Sequence, residues 1–267
     1  MADGLVQRVN AKSKTKEKDA ENPDNKRNVE NDEEYQDKYM SKRPKLTLME
    51  ELLILSFKDE GGDTFLINDT VSFGIRACMF VELAMRKKIE LEPIGARKRS
   101  SEQRNLVVIN NSITGDPILD EALRIISESS ESDSVSGWLN LLSGETWNLF
   151  QLKYHMRNVR SRICKGLVEK GICSTSSQNF FVLNITCHPL VDTLPKRNLI
   201  TYINELLTKR WISVEALTHR DFALISLTRS CDIIEKALVA LNDSDYELAW
   251  SRLKKITDLD PEKEILK

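Results

Sequence analysis

Apolar positions recur along most of the chain at helical rather than strand spacing. Leu152, Met156, Val159, Ile163 and Leu167 follow at steps of four, three, four and four, which predicts one apolar stripe down a helix within residues 144–170. Lys153, Arg157 and Arg160 take the same first steps one position later. Successive helical residues turn by about 100°, so the cationic stripe lies beside the apolar one, and its arginines leave the core at its edge with partly packed stems. Arginines so placed either line a pocket or stand as solvated helix cations.

The same reading places the other elements. Residues 46–57 form an apolar, buried helix, with Thr47 as N-cap and Glu50 at the capping-box distance. Phe65, Leu66 and Ile67 read as a short extended segment. A second apolar helix spans Thr70 to Lys87 and carries the isolated cation Arg76, which either pairs with an internal carboxylate, Glu82 being the candidate, or reaches a concave surface. Residues 89–92 and 106–109 read as strands around a loop holding Arg97, Lys98, Arg99 and Arg104. Asp116 to Ile126 is a further helix. An acidic-serine linker, Ser127 to Ser134, follows as a reasonable kinase target, and Val135 to Leu142 is a short helix carrying Trp138. Residues 172–185 read as a hairpin in which adjacent Phe180 and Phe181 point to opposite faces. Helical spacing returns in 199–207, 222–240 and 246–259. The class is mainly α.

Composition narrows the setting. The 267 residues are 40% hydrophobic, enough for a real core, and 39 basic against 41 acidic residues leave a net charge of -2, so electrostatic recognition must be local. Residues 1–45 are polar and charged, with Lys12, Lys14, Lys16 and Lys18 among them, and read as a disordered tail. The N-terminus lacks the apolar centre of a signal peptide, no run reaches the length of a membrane span, and position 2 is not glycine. The expected compartment is the cytosolic side, where five cysteines without paired spacing remain reduced.

No Gly-rich phosphate loop, His-Glu-x-x-His or Gly-x-Ser-x-Gly motif occurs, and His155, His188 and His219 are scattered. No catalytic residue, cofactor or metal site is therefore assigned, and the chain reads as a binding protein. The passages ending at Ile89 and Ile172 also suit a winged-helix nucleic-acid binder. The acidic balance, and Phe180-Phe181 beside a basic face, favour a bilayer. A protein-only scaffold with structural arginines is the third alternative.

Seven ordered blocks carry a resemblance. They are Leu46-Thr-Leu-Met-Glu-Glu-Leu-Leu, Ile75-Arg-Ala-Cys-Met with Val81-Glu-Leu-Ala-Met-Arg, Thr114-Gly-Asp-Pro-Ile-Leu-Asp-Glu-Ala-Leu, Leu141-Leu-Ser-Gly-Glu-Thr-Trp-Asn, Met156-Arg-Asn-Val-Arg, Gly166-Leu-Val-Glu-Lys-Gly and Gln178-Asn-Phe-Phe. Together they resemble the Golgi phosphoprotein 3 family from about Leu46 to Pro261. The resemblance implies a single helical domain, residues 46–267, around a central bundle with peripheral β-hairpins. It implies a peripheral adaptor on the cytoplasmic face of Golgi membranes, exchanging with cytosol, that binds phosphatidylinositol 4-phosphate and links cytosolic tails of Golgi glycosyltransferases to the COPI coat. Self-association stays open. Arg76, Arg157 and Arg160 would be the phosphate ligands, and Phe180 and Phe181 the membrane-inserting pair. Ile67 stands where the family has a tryptophan and offers neither aromatic wall nor indole donor. The tail keeps Arg8 among lysines where the family has an arginine cluster for the coat, and the chain ends at Lys267 where the family continues into a further apolar helix.

Overall fold

The computed structural model describes residues 46–58, 69–94, 100–130, 132–180, 183–210, 214 and 217–259. The first helix, α1 (Leu48–Ser56), starts on the predicted capping box: Thr47 Oγ1 accepts from the Glu50 amide at 3.3 Å, and Glu50 Oε2 accepts from the Thr47 amide at 2.9 Å. All nine of its residues are buried, Glu50 and Glu51 included. A helix apolar on nearly every face is stable in water only when neighbours surround it, and that is how the rest of the chain is arranged.

The helix α2 (Asp69–Met85) packs along α1 and passes into β1 (Ile89–Leu91). This strand pairs antiparallel with β2 (Leu106–Val108), Ile89 opposite Val108 and Leu91 opposite Leu106. Next comes α3 (Pro117–Glu128), capped by the Asp116 carboxylate, which accepts from the amides of Ile118 and Leu119, while Pro117 sits where no amide is needed. Ser134 caps α4 (Val135–Ser143), which ends at Gly144 with φ 79°. The later elements are α5 (Val159–Glu169), β3 (Ser176–Phe180), β4 (Leu183–Cys187), α6 (Leu194–Thr208), α7 (His219–Ser230), α8 (Ile234–Leu238) and α9 (Asp243–Asp258). Around α1 stand α2, α5, α6 and α7, and α9 closes over α6 and α7. The architecture is mainly α, with two small two-stranded sheets among the described residues.

Three expectations are corrected. The helix read through residues 152–167 is two pieces: a 3-10 turn over Leu149–Tyr154, a break, and then α5. Asn158 adopts φ 55° at the break, and the Met156 amide leaves the helical ladder to donate to Leu142 O at 3.0 Å. Burying Met156 completely through that tertiary bond wins over local continuity, while Val159, Ile163 and Leu167 keep the predicted inward stripe. The 222–240 segment is likewise split between α7 and α8 by Asp232 at φ 56°. The second hairpin runs over 176–187 rather than 172–185, and its register closes with Phe180 opposite Leu183. Phe180 therefore ends β3. Phe181, Ile67 with its extended segment, the arginines at 97 and 99, and residues 1–45 lie outside the described residues.

The two helix-to-strand passages share one geometry. Lys87 at φ 53° and Gly171 at φ 72° take the left-handed position, and the next amides, Lys88 and Ile172, each reach back 2.9 Å to Leu83 O and Leu167 O. This closes the helix ends in the Schellman manner.

Candidate functional site

Arg76 is only 5% exposed and spends its guanidinium on neutral oxygens. Nε donates to Leu142 O at 3.0 Å, Nη2 to Met156 O at 2.9 Å, and Nη1 to Ser72 O and Oγ at 3.0 and 2.7 Å. Leu142 lies in the last turn of α4, where carbonyls lack helical partners and the dipole favours a cation. Arg76 thus ties the end of α4 to the chain entering α5. Burial pulls its pKa below the ordinary arginine range.

The sequence offered Glu82 as the partner of Arg76, and the structure corrects this. Glu82 Oε1 accepts from the Leu48 amide at 2.8 Å and from Arg220 Nη1 at 3.0 Å, and Oε2 accepts from Arg86 Nη2 at 3.1 Å. Burial alone would raise the Glu82 carboxyl, but the Leu48 amide and Arg220 hold it below the usual range. Arg220 also reaches Glu51 at 3.0 Å and Leu46 O at 2.9 Å. Sequence reading missed this buried network. Its signal was faint, since Arg220 follows the helix cap Thr218 like any first-turn residue.

Arg157 is exposed in the turn before α5, and Arg160 is half-buried in the first turn of that helix. Asn158, at the N-cap, makes no side-chain cap, so the first amides of α5 and its dipole add positive potential beside both arginines. The charges of Arg76 and Arg157 both act on His155. Its pKa is held down first by burial, then by the charges of Arg76 and Arg157. Gly144 makes room for the ring, since a Cβ there would lie 2.8 Å from His155 Nδ1. The arrangement suits an anion at the α5 entrance. Of the remaining predicted residues, Phe180 contributes the last backbone position of β3.

Among the described residues no three His, Cys, Asp or Glu side chains form a metal-holding group, and all five cysteines are buried free thiols. No described helix is long and apolar enough to cross a membrane.

Fold and site define a helical protein built on one enclosed helix, with a cationic helix entrance clamped from behind by a buried arginine. The family model for Golgi phosphoprotein 3 (GPP34) matches residues 48–267. Vacuolar protein sorting-associated protein 74 of Schizosaccharomyces pombe is 37% identical over 226 residues, covering 80% of this chain and 67% of that protein. The chain belongs to the Golgi phosphoprotein 3 family, which gives it the coarse role of a Golgi-associated adaptor protein.

Proposed function

We propose that the chain is a non-enzymatic peripheral adaptor that holds phosphatidylinositol 4-phosphate on the cytoplasmic face of Golgi membranes and links glycosyltransferase tails to the COPI coat. The observation that carries the lipid reading is the entrance to α5. Exposed Arg157 and half-buried Arg160 stand at a helix N-terminus that Asn158 does not cap. Charge-assisted arginine–phosphate bonds are short and strong, and first-turn amides favour the same ligand. Arg76 has four of its N–H groups committed to Leu142, Ser72 and Met156. Its contribution is to fix the entrance and supply charge, with one N–H left for a ligand. The Phe180-Phe181 hairpin and the Lys-rich tail add membrane contact, and two weak anchors retain a protein where one does not. Family membership supports the coat and cargo-tail roles.

Vesicle sedimentation with and without phosphatidylinositol 4-phosphate tests the lipid reading. Arg157→Ala/Arg160→Ala should melt like the parent yet lose roughly tenfold or more in binding per arginine removed. Equal binding of the parent to both vesicle types, or undiminished binding by the folded variant, would overturn it.

A further inference from the structure

Between α4 and α5 the chain makes a closed loop, residues 144–155, that the α5 entrance does not account for. Its base is pinned: the Met156 amide donates to Leu142 O at 3.0 Å, and Arg76 bonds the carbonyls of both residues. Its interior is bonded as well. Thr146 Oγ1 donates to Gln151 Oε1 at 2.7 Å and accepts from the Asn148 amide at 3.1 Å, and Asn148 Oδ1 accepts from the Phe150 amide at 3.0 Å. On the inner side, buried Tyr154 packs edge-on against buried Trp138, ring centroids 5.9 Å apart.

On the outer side of this fixed frame stand Trp147, Leu149 and Phe150, which are 104%, 78% and 86% exposed. Three large apolar side chains within four residues, held out by a bonded backbone, are an interaction surface. Charge identifies the partner. From Thr146 to Val168 there is no Asp or Glu, whereas Lys153, Arg157, Arg160, Arg162 and Lys165 all fall in that span, with Lys153 and Arg157 exposed. Arg162 is turned to Glu121 on α3, which leaves exposed Lys153 and Arg157 as the cations nearest the apolar tips. Aromatic and aliphatic tips beside exposed cations match the interface of an anionic bilayer, where the rings sit among headgroups and the cations meet lipid phosphates.

We propose that Trp147, Leu149 and Phe150 form a second wedge that enters the interfacial layer of an anionic membrane beside the α5 entrance. This deepens the function proposed above and rests on it for the orientation of the site, because Arg76 fixes the wedge and the entrance to one frame. A lipid headgroup held at Arg157 and Arg160 brings the wedge to the bilayer surface.

The test uses the full chain and vesicles of phosphatidylcholine and phosphatidylserine, with or without phosphatidylinositol 4-phosphate. Trp147→Ser/Leu149→Ser/Phe150→Ser should keep the parent melting temperature and its binding of soluble glycerophosphoinositol 4-phosphate. It should lose roughly tenfold or more in vesicle partitioning. In a Trp211→Phe/Trp250→Phe background, brominated acyl chains should quench the fluorescence, and adding Trp147→Phe should remove that quenching, the remaining Trp138 being buried. Unchanged partitioning of the triple variant, or quenching in the Trp211→Phe/Trp250→Phe background that survives Trp147→Phe, would overturn the wedge. So would loss of self-association in the triple variant with vesicle binding intact, which would assign the surface to a second copy of the chain. The two readings separate cleanly. Preference for phosphatidylinositol 4-phosphate without Trp147 quenching removes the wedge and leaves the headgroup site. Quenching without that preference removes the headgroup site and leaves the wedge.

Discussion

Arg76 and Arg220 are two arginines drawn into the same helical core and answered in opposite ways. Arg220, on α7, meets the Glu51 and Glu82 carboxylates at 3.0 Å each. Burial pulls its pKa down, but the two carboxylates outweigh burial and leave it raised. Arg76, on α2, meets carbonyl and hydroxyl oxygens, and burial lowers its pKa without that opposition. The first neutralises its surroundings and ties α1, α2 and α7 together. The second satisfies its hydrogen bonds but keeps its charge, and places it behind a helix entrance that already carries Arg157 and Arg160. Satisfying a buried cation with neutral oxygens lets one residue both build a fold and bias a surface towards anions.

The comparison breaks most sharply at Arg220. Arg220→Met takes one cation from two buried carboxylates, Glu51 and Glu82, with Arg86 still on Glu82, and should cost about 3–5 kcal/mol near neutral pH, read by denaturant melts. In the parent, Glu82 has a depressed pKa, so its contribution is complete above its ordinary value of 4.5 and fades as pH falls through the folded midpoint. In the variant the Leu48 amide and Arg86 still hold Glu82 down, but with Arg220 gone burial is opposed less and protonation costs less, so the deficit should shrink on acidification. A deficit that is flat with pH would show that Arg220 acts through packing alone.

Arg76→Met should cost less, about 2–3 kcal/mol, since it removes donors from carbonyls and leaves no buried charge behind. Its deficit should not shrink with acid, and it should weaken anion binding even where the variant stays folded. A third and smaller effect reads the charge directly. His155 has its folded pKa below the ordinary 6.5, so as pH drops from 6.5 through the folded midpoint the unfolded chain takes up the proton first and stability falls. His155→Asn should flatten that limb of the melting curve. In nuclear magnetic resonance titrations, Arg157→Ala should move the His155 midpoint upward, and a midpoint that does not move would separate Arg157 from the Arg76 charge.

Much of the fold was legible in local pattern. The Thr47–Glu50 capping box, the helix from about Asp116, the β1–β2 hairpin and the inward face of Val159, Ile163 and Leu167 all follow from residue type and spacing, and the structure has them. These features depend on neighbours a few positions apart, which a sequence displays. The break before α5 was not legible, because it is made by a bond between Met156 and Leu142 whose worth depends on where α4 ends.

For the site, the sequence determined the cation types and their order, the acid-free span from Thr146 to Val168, and membership of a family through ordered blocks. Only the tertiary structure decided that Arg76 is spoken for by carbonyls, that Glu82 belongs to Arg220, and that Trp147, Leu149 and Phe150 face outward. A charge or a ring carries no mark in sequence of what will stand opposite it. That is set by which distant backbone oxygens and carboxylates the packing of α1, α2, α4 and α7 brings within hydrogen-bonding reach.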